Sequence, residues 1–479
     1  QEAQHTRAAH TPLGHQSQNT PQPMEKKSPN RDALDFAHEP VGRLFRQMFF
    51  PTLLGLVSMV VLNITDGAFV GHGVGSDALA AVNIVAPLFL LSGGVGLMMG
   101  IGCSVVASIH LSHDNRHAAD LNITQGILAS LVSGIVLSAV VLSAQEWVCR
   151  LFGCTDRLLP LACSYLRWIA LFMPLNMFGT TAMFMVRLDG SPRFAMAVNC
   201  TAAGLNILLD WLFVFPLQMG LEGAAIATSL SFGVCTLPVL YYVARLSRSV
   251  RLCRIKLSAT SRRLTLRNLG YQCQIGFSAL LGDLAIASVL IVGNYNFVKY
   301  LGEDGVAAYS VACYCLPIAF MMGNAIVQSV QPIVSFAYGH GDSVRMRAAT
   351  RLAVGTAVGM GLLGMTFLGF EGGIVSSTFL PVSSHAFTLC RHGLPLFSLA
   401  FLFITVNIVL IGYMQSTEQS TSATLFTLLR GFVLCIPSFI LLPMMIGNDG
   451  LWMALPLAEA LTTVCIVAAW RMGLMRKKK

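Results

Sequence analysis

Residues 245–267 read RLSRSVRLCRIKLSATSRRLTLR, with eight arginines and lysines and no acidic residue. On both sides lie long apolar runs, and the basic stretch falls at their midpoint. Comparing the two flanks exposes an internal repeat. Gly75-Ser76-Asp77-Ala78-Leu79-Ala80-Ala81 aligns with Gly302-Glu303-Asp304-Gly305-Val306-Ala307-Ala308. Pro87 then matches Pro317, His110 matches His340, and Ala118-Ala119 matches Ala348-Ala349. Glu222-Gly223 matches Asp449-Gly450, and Ala227 matches Ala454, at a nearly constant offset. Each identity alone is weak; their steady register over so long a stretch is not.

Composition says where those runs reside. Of 479 residues, 55% are hydrophobic and 11% charged, and the mean hydropathy is +0.68. A soluble domain carries roughly 25% charged residues, so this chain cannot cover a water-facing surface of its own size. A secreted disulfide scaffold, a disordered protein and an ordinary soluble enzyme are excluded. The net charge of +9 does not mark a nucleic-acid binder, because the basic residues sit between apolar runs rather than on a recognition motif. The 13 cysteines lie mostly in apolar segments without paired metal-ligand spacing. Cys149 and Cys154 share a short loop and read as a bridge or as two unrelated thiols.

A helix needs about 20 residues to cross ~30 Å of hydrocarbon. Twelve such spans are read at 43–71, 77–109, 117–143, 158–186, 193–216, 221–246, 268–298, 304–338, 347–370, 384–414, 419–442 and 450–471. All are expected to be helices, since the alternation of a barrel is missing. Residues 1–38 read as a polar, disordered tail. Met24-Glu25-Lys26-Lys27 reads as a start, making the first 23 residues an expected upstream extension. Arg43, Arg46, Arg116, Arg187, Arg193, the stretch 245–267, Arg345, Arg347, Arg351, Arg471 and the basic C-terminus fall on one side. Arg150, Arg157 and Lys299 fall on the other. The positive-inside rule then makes both termini cytoplasmic, which an even number of spans satisfies.

Six spans per half means that both halves enter the membrane in the same sense. The expected fold is therefore an all-α integral membrane protein, with twelve transmembrane helices in two six-helix lobes related by a parallel internal repeat. The lobes are read at 39–246 and 268–472, joined by a basic linker at 247–267 and followed by a basic tail at 473–479. Such a repeat suits alternating access around a central cavity.

Ionisable groups inside hydrocarbon are expensive and need a reason. The spans contain Asp66, Asp210, Asp283, Glu459 and Arg430. Asn206 and Asp210 are four apart, hence on one helical face. The next span carries Gly223-Ala224-Ala225-Ile226-Ala227-Thr228, small residues that permit close packing and end at a hydroxyl. Buried carboxylates in adjacent helices resist ionising together, so a pair holds a proton or a cation. An amide, a hydroxyl and carboxylates form an oxygen-rich set suited to a small hard cation or a proton relay. Asn206 and Thr228 could equally do no more than tie helices together.

On these residues the chain resembles the multidrug and toxic compound extrusion (MATE) family, in its prokaryotic DinF/NorM-like branch. The resemblance covers essentially residues 43–472. It rests on Pro51 and Asp66 in span 1, Asn206 and Asp210 in span 5, Thr228 in span 6 and Leu188-Asp189-Gly190-Ser191-Pro192 between spans 4 and 5. It implies that Asp66, Asn206, Asp210 and Thr228 bind the coupling ion, H+ or Na+, with the two carboxylates exchanging it. It also implies that Pro51 is a hinge coupling that binding to drug release, although a proline kinks a helix in any protein. In the second half Asp283 reads as an ion or substrate site, or as a neutralised partner of Arg430. The resemblance makes Glu418 a second candidate carboxylate, a solvated loop residue being its default reading, and Glu459 stays ambiguous, without a named partner.

His110, His113 and His117 have helical spacing but no thiol or acid to complete a metal site. Gly93-Gly94 and Gly100-Ile101-Gly102 read as packing positions rather than a phosphate cradle, because no strand or lysine accompanies them. The expected function is secondary active efflux of amphipathic and cationic organic compounds in antiport with H+ or Na+. No cofactor beyond the coupling ion is expected, and no nucleotide-binding loop is found. A flippase of lipid-linked oligosaccharides or polyisoprenoids is the alternative, though its cavity should be cationic rather than acidic. An integral-membrane enzyme is more distant, lacking a polar loop with catalytic groups. The expected setting is the plasma membrane (the inner membrane of a Gram-negative cell), as a multi-pass monomer.

Overall fold

The computed structural model describes residues 34–152, 154, 156–247, 249–254 and 258–473. The expected extension 1–23, the tail as far as residue 33 and the basic end 474–479 lie outside the described residues. Thirteen α-helices follow: α1 (Val41–Gly73), α2 (Ser76–Ser112), α3 (Arg116–Ser143), α4 (Gln145–Leu151), α5 (Leu159–Leu188), α6 (Pro192–Val214) and α7 (Gly220–Tyr241), then α8 (Ala259–His340), α9 (Ser343–Phe379), α10 (His385–Ser416), α11 (Ser420–Leu428), α12 (Cys435–Ile446) and α13 (Asn448–Arg471). A π-helical turn, Tyr242–Leu246, extends α7, and a second, Leu429–Val433, joins α11 towards α12.

Among the described residues, eleven helical stretches are long and apolar enough to cross a membrane. One of them is α8, whose 82 residues would run ~120 Å if straight. It is broken at Gly302, where φ is 67° and ψ −157°, a conformation open to glycine because it has no Cβ. The chain folds back there. The Tyr309 hydroxyl donates to the Val289 carbonyl at 3.1 Å, and the Tyr309 ring stacks on Phe297 at 4.3 Å. A straight helix would hold those partners ~30 Å and ~18 Å apart along its axis. Counting this hairpin as two crossings gives twelve.

Three boundaries differ from the sequence reading. The helix α8 begins at Ala259, inside the stretch taken for a linker, and α9 runs on to Phe379. The short α4 was not anticipated; its seven residues are too few to show a period. Residues 34–38, read as disordered tail, belong to a turn that Arg345 holds by donating to the Phe36 and Glu39 carbonyls at 2.7 and 2.8 Å.

The helices pack by small and polar residues turned inward, since lipid supplies no hydrophobic force between them. On α3 the buried face runs through Asn122, Gly126, Ser130, Gly134 and Ser138. Its outer face presents Leu128, Val132, Ile135, Val136 and Val140. On α9 the buried face runs through Ala349, Ala353, Ala357, Gly361, Gly364, Gly372 and Ser376, with Leu363, Phe367, Phe370 and Ile374 outward. This inside-out amphipathicity is what a lipid-facing helix requires.

In the first half α1 packs on α6, α2 and α3 on α5, and α7 on α5 and α6. In the second, α10 packs on α8, α9 and α13. The halves meet chiefly along α2 and α8. There a side chain at Gly102 would overlap the main chain of Gln272, and one at Gly276 that of Met98. The Gly100-Ile101-Gly102 stretch is thus a packing position. Polar bonds fasten the halves on either side: Gln272 Nε2 of α8 donates to Asn122 O and Oδ1 of α3 at 3.1 and 3.0 Å, and Gln331 Nε2 of α8 to Ile101 O of α2 at 3.3 Å. The helix α1 joins both halves, because Leu44, Phe45 and Phe49 share a core with Val330 and Val334 of α8 and Ala353 of α9.

Candidate functional site: an acidic pocket between four helices

One face of α6 is buried through Ala195, Ala202, Ala203, Asn206, Asp210 and Val214, while Leu208 and Trp211 face outward. That stripe puts Asn206 and Asp210 one turn apart and fully buried. The close fit of α6 and α7 brings Thr228 into reach, and Asn206 Nδ2 donates to its Oγ1 at 3.3 Å. Asp66 comes from α1, and its carboxyl lies within hydrogen-bonding reach of Asp210. All four residues expected to bind the coupling ion are therefore gathered in one place.

The pocket is rich in unanswered acceptors. Asp66 Oδ1, both carboxyl oxygens of Asp210 and Asn206 Oδ1 are buried, and no donor among the described residues reaches them. Leaving a buried acceptor unpaired costs about 1–3 kcal/mol, more when it is charged. Two carboxylates in contact also cannot both keep their charge in so dry a place. A proton shared between them, or a small cation among the four oxygens, answers both problems. Tyr165 of α5 completes the surroundings, within electrostatic reach of both carboxyls. It was not singled out from the sequence, because a tyrosine on an apolar face carries no signal until the opposing helix is known.

The second half is built differently. Arg430, in the π-helical turn Leu429–Val433, donates through Nε and Nη2 to Glu459 Oε1 at 3.0 and 2.8 Å. Asn407 Nδ2 donates to Glu459 Oε2 at 2.7 Å, and Thr463 Oγ1 to Asn407 Oδ1 at 2.8 Å. The guanidinium lies 5.3 Å from the centre of the Phe320 ring. Arg430 and Glu459 are 5% and 3% exposed, so a buried cation neutralises a buried anion inside a closed hydrogen-bond network. This corrects the reading of Asp283 as partner of Arg430. The Asp283 carboxyl instead faces α2, its Oδ2 within 3.3 Å of where a side chain at Gly94 would begin. It lies at the contact between the two halves.

Elsewhere, Pro51 is inside α1, and two buried polar atoms near it, Gln47 Oε1 and Thr52 Oγ1, have no partner among the described residues. Glu418 lies at the end of α10, where it accepts from the Tyr271 hydroxyl at 2.6 Å. Asp189 binds the end of α7 and the basic stretch together: its Oδ2 is bonded to the Tyr242 hydroxyl at 2.7 Å, and its Oδ1 accepts from Ser249 N at 2.6 Å. Among the described residues no group of three or more His, Cys, Asp or Glu side chains stands ready to hold a metal.

Twelve apolar crossings around buried, oxygen-lined acids define a class: a polytopic membrane protein built to carry a solute across, not to break a bond. The MatE family model matches residues 51–212 and again 280–441. The chain belongs to the MatE family of transporters. It is similar to "Multidrug export protein MepA" of Staphylococcus saprophyticus, with 24% identity across 88% of this chain and 90% of that one. The protein of the same name from Staphylococcus aureus strain MRSA252 is 23% identical across 91% and 94%. Among solved structures, an outward-facing multidrug resistance MATE family transporter of the MOP superfamily superposes with a TM-score of 0.85 at 20% identity, covering 93% of this chain and 99% of that one. A MOP superfamily transporter from Pyrococcus furiosus, whose pocket of reversed polarity is said to suggest a different function, also gives 0.85 at 20% identity, covering 93% and 98%.

Proposed function

We propose that this protein exports amphipathic and cationic organic compounds in antiport with H+ or Na+, by alternating access. The observation that carries the reading is the cluster of buried oxygens on Asp66, Asn206 and Asp210 without donors. In this reading Asp66 and Asp210 exchange the coupling ion, with Asn206 and Thr228 as supporting ligands. An acidic interior suits a cationic cargo, and it argues against a flippase for anionic lipid-linked sugars. Membership of MatE and similarity to proteins named for multidrug export support the same conclusion.

The halves 39–246 and 268–472 act as two lobes in a parallel repeat; the double match of one family model, at 51–212 and 280–441, supports this. The chain is assigned to the DinF/NorM-like branch on Pro51, Asp66, Asn206 and Asp210. Pro51 is the hinge. It stands on α1 between Phe45 and Phe49, which pack against α8 and α9 together with Leu53 and Leu56, and Asp66, about four turns further on. Asp283, at the contact of α2 with α8, is a site for cationic substrate or a second ion. Both termini face the cytoplasm, as the basic residues argue, and the protein works as a monomer in the plasma membrane.

The test is transport of a cationic dye in vesicles, with H+ and Na+ gradients imposed independently. Movement driven by one gradient, and lost in Asp210→Asn, is the expected result. Dye movement indifferent to both gradients overturns the antiporter reading.

A further inference from the structure

The connection between α3 and α5 brings cysteines together that are not neighbours in sequence. Cys149 Sγ on α4 and Cys163 Sγ on the second turn of α5 are 3.9 Å apart, across 14 residues of chain. Cys149 is buried at 1% exposure, and its α4 neighbours Trp147 and Leu151 point outward. From the sequence Cys149 and Cys154 read as a bridge or as two unrelated thiols. The main chain brings these two close, Cys154 N donating to Cys149 O at 3.0 Å, and the three thiols share one neighbourhood, in which Cys163 Sγ stands 3.9 Å from Cys149 Sγ.

Two exposed ion pairs, Arg150 with Asp156 and Arg157 with Asp77, each at 2.8 Å, put this connection at the water boundary. By the orientation proposed above it lies on the face opposite residues 245–267, outside the cytoplasm. Disulfides persist there, whereas cytosolic thiols are kept reduced. We propose that Cys149 and Cys163 form a disulfide that fastens α4 to α5 at the extracytoplasmic end of the protein.

The required movement is small. A disulfide needs sulfurs about 2.05 Å apart, so the two Sγ atoms, now 3.9 Å apart, each have ~1 Å to close. The oxidant is a small or protein-borne disulfide on that face. Cys163, half-buried, reacts first as the thiolate: its sulfur attacks one donor sulfur and expels the other as a thiolate, leaving a mixed disulfide. Cys149 then gives up its proton and attacks Cys163 Sγ, expelling the second donor thiolate. Two protein thiols are oxidised, one donor disulfide becomes two thiols, and the two protons lost by the cysteines go to the departing thiolates. Burial, followed by the facing Cys163, pushes the Cys149 thiol up to about 12, which makes closure the slow step.

The experiment treats the purified full chain with oxidised glutathione, blocks remaining thiols with an alkylating agent and maps unreduced peptides by mass spectrometry. The expected product joins the Cys149 and Cys163 peptides and is lighter by two hydrogens than their sum. It persists in Cys154→Ser and vanishes in Cys163→Ser. Free, fully alkylated Cys149 and Cys163 after prolonged oxidation overturn the proposal, as does a bridge from either of them to Cys154 instead. Only the sidedness rests on the proposed orientation, so a second arm uses a membrane-impermeant disulfide on sealed vesicles of known polarity. Reaction from the face opposite 245–267 is expected. Reaction only from the basic face overturns the extracytoplasmic placement and leaves the bridge standing. Neither arm reads transport, so failure here is distinct from failure of the antiporter reading.

Discussion

Asp210 and Arg430 are both buried and ionisable, but their surroundings set opposite outcomes. Asp210 has no donor on either oxygen and must find a proton or cation, whereas Glu459 is answered by Arg430 and Asn407. Asp210→Asn keeps the volume and removes the exchangeable charge. The expected result is normal expression and folding with ion-driven dye exchange lost, measured in vesicles. Arg430→Met should behave as a stability variant: stripping one partner from a buried ion pair costs about 3–5 kcal/mol. It should lower the thermal midpoint in detergent. The double variant Arg430→Met with Glu459→Leu should recover much of the loss, because it leaves no unpaired charge. If the single variant melts with the parent, the pair contributes nothing to stability. Asp210 was legible in the sequence because it is the one acid on α6 and Asn206 stands one turn before it. The partner of Arg430 was not, since 29 residues and a π-helical turn separate it from Glu459.

At the level of elements, α1 and the contact of α2 with α8 hold the most information. Pro51→Ala restores a backbone donor within α1 and stiffens the helix N-terminal to Asp66. If Pro51 is a hinge, transport should fall while the thermal midpoint holds or rises. Unchanged transport in a correctly folded variant would make the proline merely structural. Gly102→Val tests the contact of α2 with α8, where any side chain meets the Gln272 main chain. Overpacking of this kind costs about 1–3 kcal/mol, so a lower thermal midpoint is expected, together with weaker cross-linking between cysteines introduced on α2 and α8. The sequence marked Gly102 as a packing position because small residues crowd there. It could not say that the surface it meets is the backbone of α8, since that surface lies over 150 residues away.

For the whole molecule, twelve crossings, a basic midpoint and few buried acids were readable from residue order, because the bilayer imposes length and polarity on each span separately. Helix by helix, the inward faces of α3 and α9 could be read from the spacing of Gly, Ala and Ser. The gradient-swap assay belongs at this scale: dye accumulation should follow one ion and reverse when that gradient is reversed. The tertiary structure alone decided which polar groups meet. It matched Arg430 to Glu459 rather than Asp283, and turned Cys149 towards Cys163. The physical reason is one of range. Burial in lipid acts on each residue where it stands, so sequence alone reveals it. Charge pairing and thiol contact depend on distances between helices, which exist only once the helices have packed.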